Sequence, residues 1–191
     1  MVKKIKSPRT PIKFLIQFNK TGNKFYWDEF QKPLRHLTDV EVGVYEGKNA
    51  LSIYNHLNIK KLYLVDPWKE YNDYKDYNDN NAVRLLPFDE PKKHEERYFR
   101  VKKIFSKHKN VEIIRNTGEE ASKKFENNSL DFVYLDGDHS YEGVKINLQS
   151  WYPKLKEYGV MCGDDYGHIS GRGVIKAVNE FAFEKKVIIT Y

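Results

Sequence analysis

Two short stretches of this sequence crowd side chains that could bind a metal or move a proton. One reads Asp136-Gly137-Asp138-His139-Ser140-Tyr141, the other Gly163-Asp164-Asp165-Tyr166. Carboxylates gathered at one point repel each other unless a cation or a proton neutralises them. If the two stretches end neighbouring strands, Asp136, Asp164 and Asp165 can converge. Hard oxygen ligands of this kind suit Mg2+, Mn2+ or Ca2+ better than zinc, with Mg2+ the expected ion. A single loop aspartate is explained as well by solvation or by capping a helix; only the set points to a metal. His139 lies within reach of such a site and could take a proton from a substrate hydroxyl as general base. Asp138 competes for that role.

Three further positions carry chemistry. Glu41-Val42-Gly43-Val44-Tyr45-Glu46-Gly47 is an acidic-x-Gly-x-x-x-Gly turn. Its glycines let backbone come close to a ligand, or simply make a tight turn. The dinucleotide fingerprint Gly-x-Gly-x-x-Gly is absent. Asp66 can accept hydrogen bonds from both hydroxyls of a ribose, or cap the turn before Pro67. Trp68 can line an adenosine pocket or fill the core. Asn116-Thr117-Gly118-Glu119 can meet an adenine edge, and Thr117 can equally cap a helix.

The elements that would position these residues alternate between apolar runs and helical patterns. Strands are expected at 40–44, 61–66, 111–114, 130–135 and 159–162, with a last one at 187–191. Helices are expected at 49–57, 91–109, 119–126, 141–158 and 173–185, the fourth distorted at Pro153. Residues 25–37 read as an amphipathic helix and 71–81 as a loop. Strands separated by helices imply βαβ units and a mostly parallel sheet, and continuous apolar strands imply helices on both faces. Such sheets bind ligands at the carboxyl ends of their strands. The acidic and glycine positions fall there, except Glu41, which sits within its strand.

Composition narrows the function classes. The chain has 191 residues, 40% hydrophobic, and a net charge of +6. That length fits one domain. One cysteine, Cys162, allows no internal disulfide and suits a reducing compartment. No apolar run is long enough for a signal peptide or a membrane span. A cytoplasmic protein with no membrane partner is expected. The lysines are scattered and no nucleic-acid motif accompanies them, so nucleic acid is not the expected partner. The oligomeric state stays open, a homo-oligomer included.

The turn 41–47, the strand end 64–68 and above all the stretch 133–144 followed by Gly163-Asp164-Asp165-Tyr166 resemble class I S-adenosylmethionine-dependent methyltransferases. The nearest likeness is to the metal-dependent sugar O-methyltransferase branch. It covers roughly 38–185. The resemblance implies a Rossmann-like sheet with an S-adenosylmethionine domain at 38–191 and an N-terminal extension or cap at 1–37. It places Glu41, Gly43 and Gly47 on the methionine part of the cofactor and Asp66 on the ribose. Trp68, Thr117, Gly118 and Asp136 complete the cofactor-facing set. Asp136, Asp164 and Asp165 would hold the metal, and His139 or Asp138 would be the base. The implied reaction is methyl transfer to a hydroxyl of a small molecule, a sugar first and a catechol-like phenol second. The loop at 165–173, with Gly167, Gly171, Arg172 and Gly173, and the loop at 71–81 would flank the entrance. Such folds end in a β-hairpin, and here the chain stops after one candidate strand, so the hairpin reads as truncated. Two other readings compete: a glycosyltransferase using Asp136-Gly137-Asp138 as an Asp-x-Asp motif, and a non-catalytic nucleic-acid binder with the same fold.

Overall fold

The computed structural model describes residues 14–17, 36–69, 91–166 and 172–190. Seven strands form one sheet: β1 (Phe14–Gln17), β2 (Leu37–Val42), β3 (Ile59–Val65), β4 (Val111–Ile114), β5 (Leu130–Leu135), β6 (Leu155–Gly163) and β7 (Ile188–Thr190). The helices are α1 (Lys48–His56), α2 (Pro91–Ile104), α3 (Gly118–Ser122), α4 (Tyr141–Trp151) and α5 (Arg172–Lys185). The strand order is β4-β3-β2-β5-β6-β1-β7. Strands β2 to β6 run parallel, while β1 is antiparallel to both β6 and β7. The expected Rossmann-like sheet is therefore present. Its order reverses at β2, which lies between β3 and β5, and a crevice opens at such a reversal.

Strand alternation divides the core in two. Val40, Val42, Val133, Leu135 and Met161 face α4 and α5, where Leu148, Trp151, Val178 and Phe181 complete the packing. Leu62, Leu64, Phe132, Tyr134, Val160 and Cys162 face the other way, against Ala50 and Ile53 of α1 and Val101 of α2. Both faces of the strands are buried, which is why they read as unbroken apolar runs.

The structure changes three expectations. Helix α4 ends at Trp151, seven residues before the expected 158, and Tyr152–Lys154 forms a 3-10 turn. Pro153 has no N–H to continue the α-helical ladder. Strand β6 then begins at Leu155, opposite Leu130, and regular pairing resumes at Val160, opposite Phe132. The residues between bulge outward, so only the portion from 159 looked like a strand in the sequence. Second, β1 comes from the segment expected as an extension or cap, and it supplies the antiparallel strand between β6 and β7. Among the described residues no strand follows β7. Third, Leu37 opens β2 and is not helical. The rest of the helix expected at 25–37, up to residue 35, the loop at 71–81, Gly167, Gly171 and the side chain of Arg172 lie outside the described residues. Among the described residues no helix is long and apolar enough to cross a membrane.

One core residue opposes the fold. Asp39 pairs with Leu62 and Phe132 in the sheet, is fully buried, and neither of its carboxyl oxygens has a hydrogen-bond partner. Burial, then the charge of Asp131, pushes its carboxyl well up, against a smaller opposing pull from Lys156. Asp39 therefore keeps its proton in the folded chain at pH values where the unfolded chain, near pKa 3.9, has lost it. Its contribution to stability is greatest in acid and falls as pH rises toward the folded value. Asp39→Asn should stabilise the protein at pH 7 by roughly 1–3 kcal/mol, with a smaller gain at pH 4. Chemical denaturation at the two pH values checks this; an equal or larger gain at pH 4 contradicts it.

Candidate active site

Four strand ends place four residues in a row. Val42 lies opposite Val65 and Leu135, and Leu135 lies opposite Gly163. The hydrogen-bond ladder then continues one residue past each strand. Gly43 N–H donates to the Val65 carbonyl at 2.8 Å and Asp136 N–H to the Val42 carbonyl at 2.7 Å. Asp164 N–H donates to Leu135 and Asp66 N–H to Ile114, both at 3.2 Å. Asp66, Gly43, Asp136 and Asp164 are thus held side by side at the carboxyl edge by backbone alone.

The glycine turn is built by contact between strand ends. Gly43 has φ +90°, a left-handed conformation, and a Cβ there would lie 2.0 Å from the Asp136 carbonyl oxygen. The space that a ligand was expected to use at Gly43 is taken up on this side by the 136–137 backbone. Gly47, also left-handed at φ +78°, starts α1. Asp66 closes the turn. One carboxyl oxygen accepts from the N–H groups of Val44 and Tyr45, each at 2.9 Å, and the other from Trp68 N–H at 2.6 Å. Burial pushes the Asp66 carboxyl up, opposed by these three bonds. Trp68 itself is only 2% exposed and donates its indole N–H to the Tyr45 carbonyl at 3.0 Å. It is a core residue with a polar tether.

Glu41 is fully buried on the α1 side of the sheet. Asn49 of α1 donates to one of its carboxyl oxygens at 3.0 Å, and the other oxygen has no partner. Burial raises the Glu41 carboxyl well above its usual range, with Asn49 pulling the other way and Asp136 and Asp66 adding to the rise. Thr117 caps α3, its hydroxyl accepting from Glu120 N–H at 3.3 Å. Gly118 makes room for Asn147, whose Oδ1 lies 2.1 Å from where a Cβ would be.

The aspartate-histidine cluster departs from expectation. His139 sits between two carboxylates: Nε2 is 3.2 Å from Asp136 and Nδ1 is 2.9 Å from Asp165. Burial alone would lower the imidazole, but the bonds and charges of Asp136 and Asp165 outweigh it and push the group up to about 10. At neutral pH it is an imidazolium. Asp138 is turned into the helix start, accepting from Ser140 N–H at 2.8 Å and packing against Gly143, where a Cβ would meet its carboxyl group. Asp164 has one buried oxygen without a partner. Asp165 reaches the histidine from a left-handed backbone, φ +61°.

Asp136, Asp164 and Asp165 do share one edge, as expected, yet they do not form a metal cage. Among the described residues no group of three or more His, Cys, Asp or Glu is placed to hold an ion. The cation between Asp136 and Asp165 is the protein's own imidazolium. As arranged, these residues do not fit a divalent metal.

Sequence reasoning missed Asn49, Asn147 and the part played by α2. Arg97 of α2 stacks 4.2 Å above the Tyr45 ring and donates to its hydroxyl at 2.9 Å. Arg115 bonds Glu95 of α2 and the Trp68 carbonyl, the latter at 3.2 Å. Asn49, one residue into α1 and eight after Glu41, was a readable signal; the contacts of Arg97 with Tyr45 and of Arg115 with Trp68 span 52 and 47 residues and were not.

A model of the methyltransferase domain matches residues 40–166. The chain belongs to the methyltransferase-domain family. One curated relative, an uncharacterised protein of Sinorhizobium fredii, is 36% identical over 53 residues, 28% of this chain and 6% of that one. Two solved structures share the fold. A structural-genomics protein from Corynebacterium glutamicum has a TM-score of 0.50 at 14% identity, over 76% of this chain and 62% of its own. A precorrin 8w decarboxylase from Methanobacterium thermoautotrophicum has a TM-score of 0.51 at 15% identity, over 76% and 63%. This chain spans less than two thirds of each. The family match favours neither the glycosyltransferase nor the nucleic-acid reading.

Gly43→Ala should cost the methyltransferase at least about 2 kcal/mol, because it adds left-handed strain to a clash with Asp136. Denaturation and a cofactor titration should show both stability and S-adenosylmethionine affinity falling; an unchanged pair would mean the strand ends are not in contact.

Proposed function

We propose that this methyltransferase transfers a methyl group from S-adenosylmethionine to a hydroxyl of a small molecule, a sugar before a catechol-like phenol. The observation that carries this is the row of buried acids at the switch point, with an ionisable histidine beside it. Glu41, Asp66 and Asp136 are all pushed up by burial. Such a set suits a cationic ligand, and the cofactor carries a sulfonium and an ammonium. When bound, it supplies an electrophilic methyl group. Glu41 and the 43–47 turn would hold its methionine part, Asp66 the ribose, and Thr117 and Gly118 the adenine edge. The single buried Cys162 accords with work in the cytoplasm.

We prefer His139 to Asp138 as the base; its two ring nitrogens face Asp136 and Asp165, so a substrate hydroxyl must displace one of these carboxylates to reach it. Asp138 is committed to Ser140 N–H and the Gly143 turn. His139 lies between Asp136 and Asp165, which hold its ring and stabilise the charge it gains on taking a proton. It accepts that proton only in its neutral form. With the imidazole pushed up to about 10, the neutral form grows as pH rises. No step is assigned to a metal.

Two outcomes test the reading. Labelled methyl should pass from S-adenosylmethionine into a panel of sugars and catechols, and Asp66→Ala should weaken cofactor binding by about tenfold or more, as loss of charged hydrogen bonds does. Calorimetry with no binding by the wild type would end the proposal. Turnover should climb through the alkaline range, and Asp165→Asn should move that limb to lower pH by removing one carboxylate that holds the proton. A limb that stays in place would remove His139 as the base.

A further inference from the structure

Two residues around Asp66 hold a left-handed backbone although neither is glycine: Tyr45, with φ +50°, and Trp68, with φ +40°. That conformation crowds the Cβ of any L-residue and persists only where surrounding contacts impose it. The two residues hold each other. The Trp68 indole donates to the Tyr45 carbonyl at 3.0 Å. Tyr45 N–H donates to one Asp66 carboxyl oxygen at 2.9 Å and Trp68 N–H to the other at 2.6 Å. Two cations anchor the pair from outside. Arg115, just past β4, donates to the Trp68 carbonyl at 3.2 Å. Arg97 of α2 lies 4.2 Å over the Tyr45 ring and donates to its hydroxyl at 2.9 Å. Trp68 is also fixed by the core around it, whereas Tyr45 is 46% exposed, so burial does little for Tyr45 and Arg97 supplies the anchor.

We infer that Arg97 is a positioning residue for the cofactor site: by gripping the Tyr45 side chain it keeps that backbone left-handed, so that Tyr45 N–H stays on Asp66 while the Tyr45 carbonyl stays on Trp68. A turn released from Arg97 relaxes toward negative φ. The N–H and the carbonyl of Tyr45 then turn relative to each other, and the bonds to Asp66 and Trp68 cannot both be kept. Asp66 is held by three backbone N–H groups, and losing one loosens the carboxylate that would meet the ribose. The effect runs through Tyr45 and requires no contact between Arg97 and the cofactor. Its consequence for cofactor binding rests on the methyl-transfer reading; the grip on the turn does not.

The test combines two measurements on the full chain as wild type, Arg97→Ala and the double variant Arg97→Ala/Tyr45→Gly. Hydrogen exchange of the residue-45 amide and the Trp68 indole, read by NMR, reports the turn, and calorimetry reports S-adenosylmethionine affinity. In Arg97→Ala at least one of the two N–H groups should exchange about tenfold faster, and the cofactor should bind about tenfold more weakly. Glycine takes a φ of this sign without crowding. The double variant should therefore regain protection of both groups and most of the lost affinity. A direct contact of Arg97 with the cofactor, or a general loosening of α2, would not be repaired by glycine. Unchanged exchange in Arg97→Ala overturns the inference, and so does a double variant no better than Arg97→Ala. Should Arg97→Ala fail to fold, Tyr45→Phe removes only the bonded hydroxyl and should raise the same exchange rates by a smaller factor; no rise overturns the inference. A wild type that binds no cofactor would instead sink the methyl-transfer reading, and the exchange rates would still decide the role of Arg97.

Discussion

Carboxylates at one edge of a parallel sheet are the constraint around which this protein is built. Glu41, Asp66, Asp136 and Asp164 are brought together by strand register, and Asp165 joins them from a left-handed turn. Two like charges about 4 Å apart cost about 4 kcal/mol in a protein-like medium. The fold meets that cost differently at each position. Asp66 accepts three backbone N–H groups. Asp136 and Asp165 share the His139 imidazolium. Glu41 is pushed toward its neutral form by burial. Each solution also leaves a group that a cationic ligand or a proton could engage, so the same electrostatic problem supplies the site.

The backbone does the placing and the side chains only finish it. The ladder runs one residue past β2, β3 and β5, so an acid or a glycine lands at each end by register and not by loop conformation. Helix α2 then pins the loops that follow β2 and β3, through Arg97 on Tyr45 and through Glu95 and Arg115 on the Trp68 carbonyl. Loops fixed at both ends in this way lose little further entropy when a ligand settles on them. On the other side the Asp138-Ser140 cap holds the start of α4 beneath His139.

Much of this could be read from the chain. Strands β4 and β5 fall where unbroken apolar runs predict them, and Asp66, Asp136 and Asp164 stand one residue past a strand, where the fold class requires ligand-facing groups. What could not be read depends on distance in the sequence. Four residues of β1 carry no periodicity of their own, and their pairing with β6 is set by a partner about 150 residues away. The bulge in β6 hid its first half inside what looked like helix. The role of Gly43 emerged only with the 136–137 backbone beside it. Charge compensation was legible as a need, since crowded aspartates demand a cation; that the cation is His139, three residues along, follows from the left-handed turn at Asp165, which no spacing reveals.

Co-crystallisation with S-adenosylhomocysteine tests most directly whether this carboxyl edge is the cofactor site. The ligand should lie across the ends of β2 and β5, with its ribose against Asp66 and its amino acid portion against the 43–47 turn. A ligand bound elsewhere on the sheet, or with its ribose away from Asp66, would contradict the role given to the acidic row.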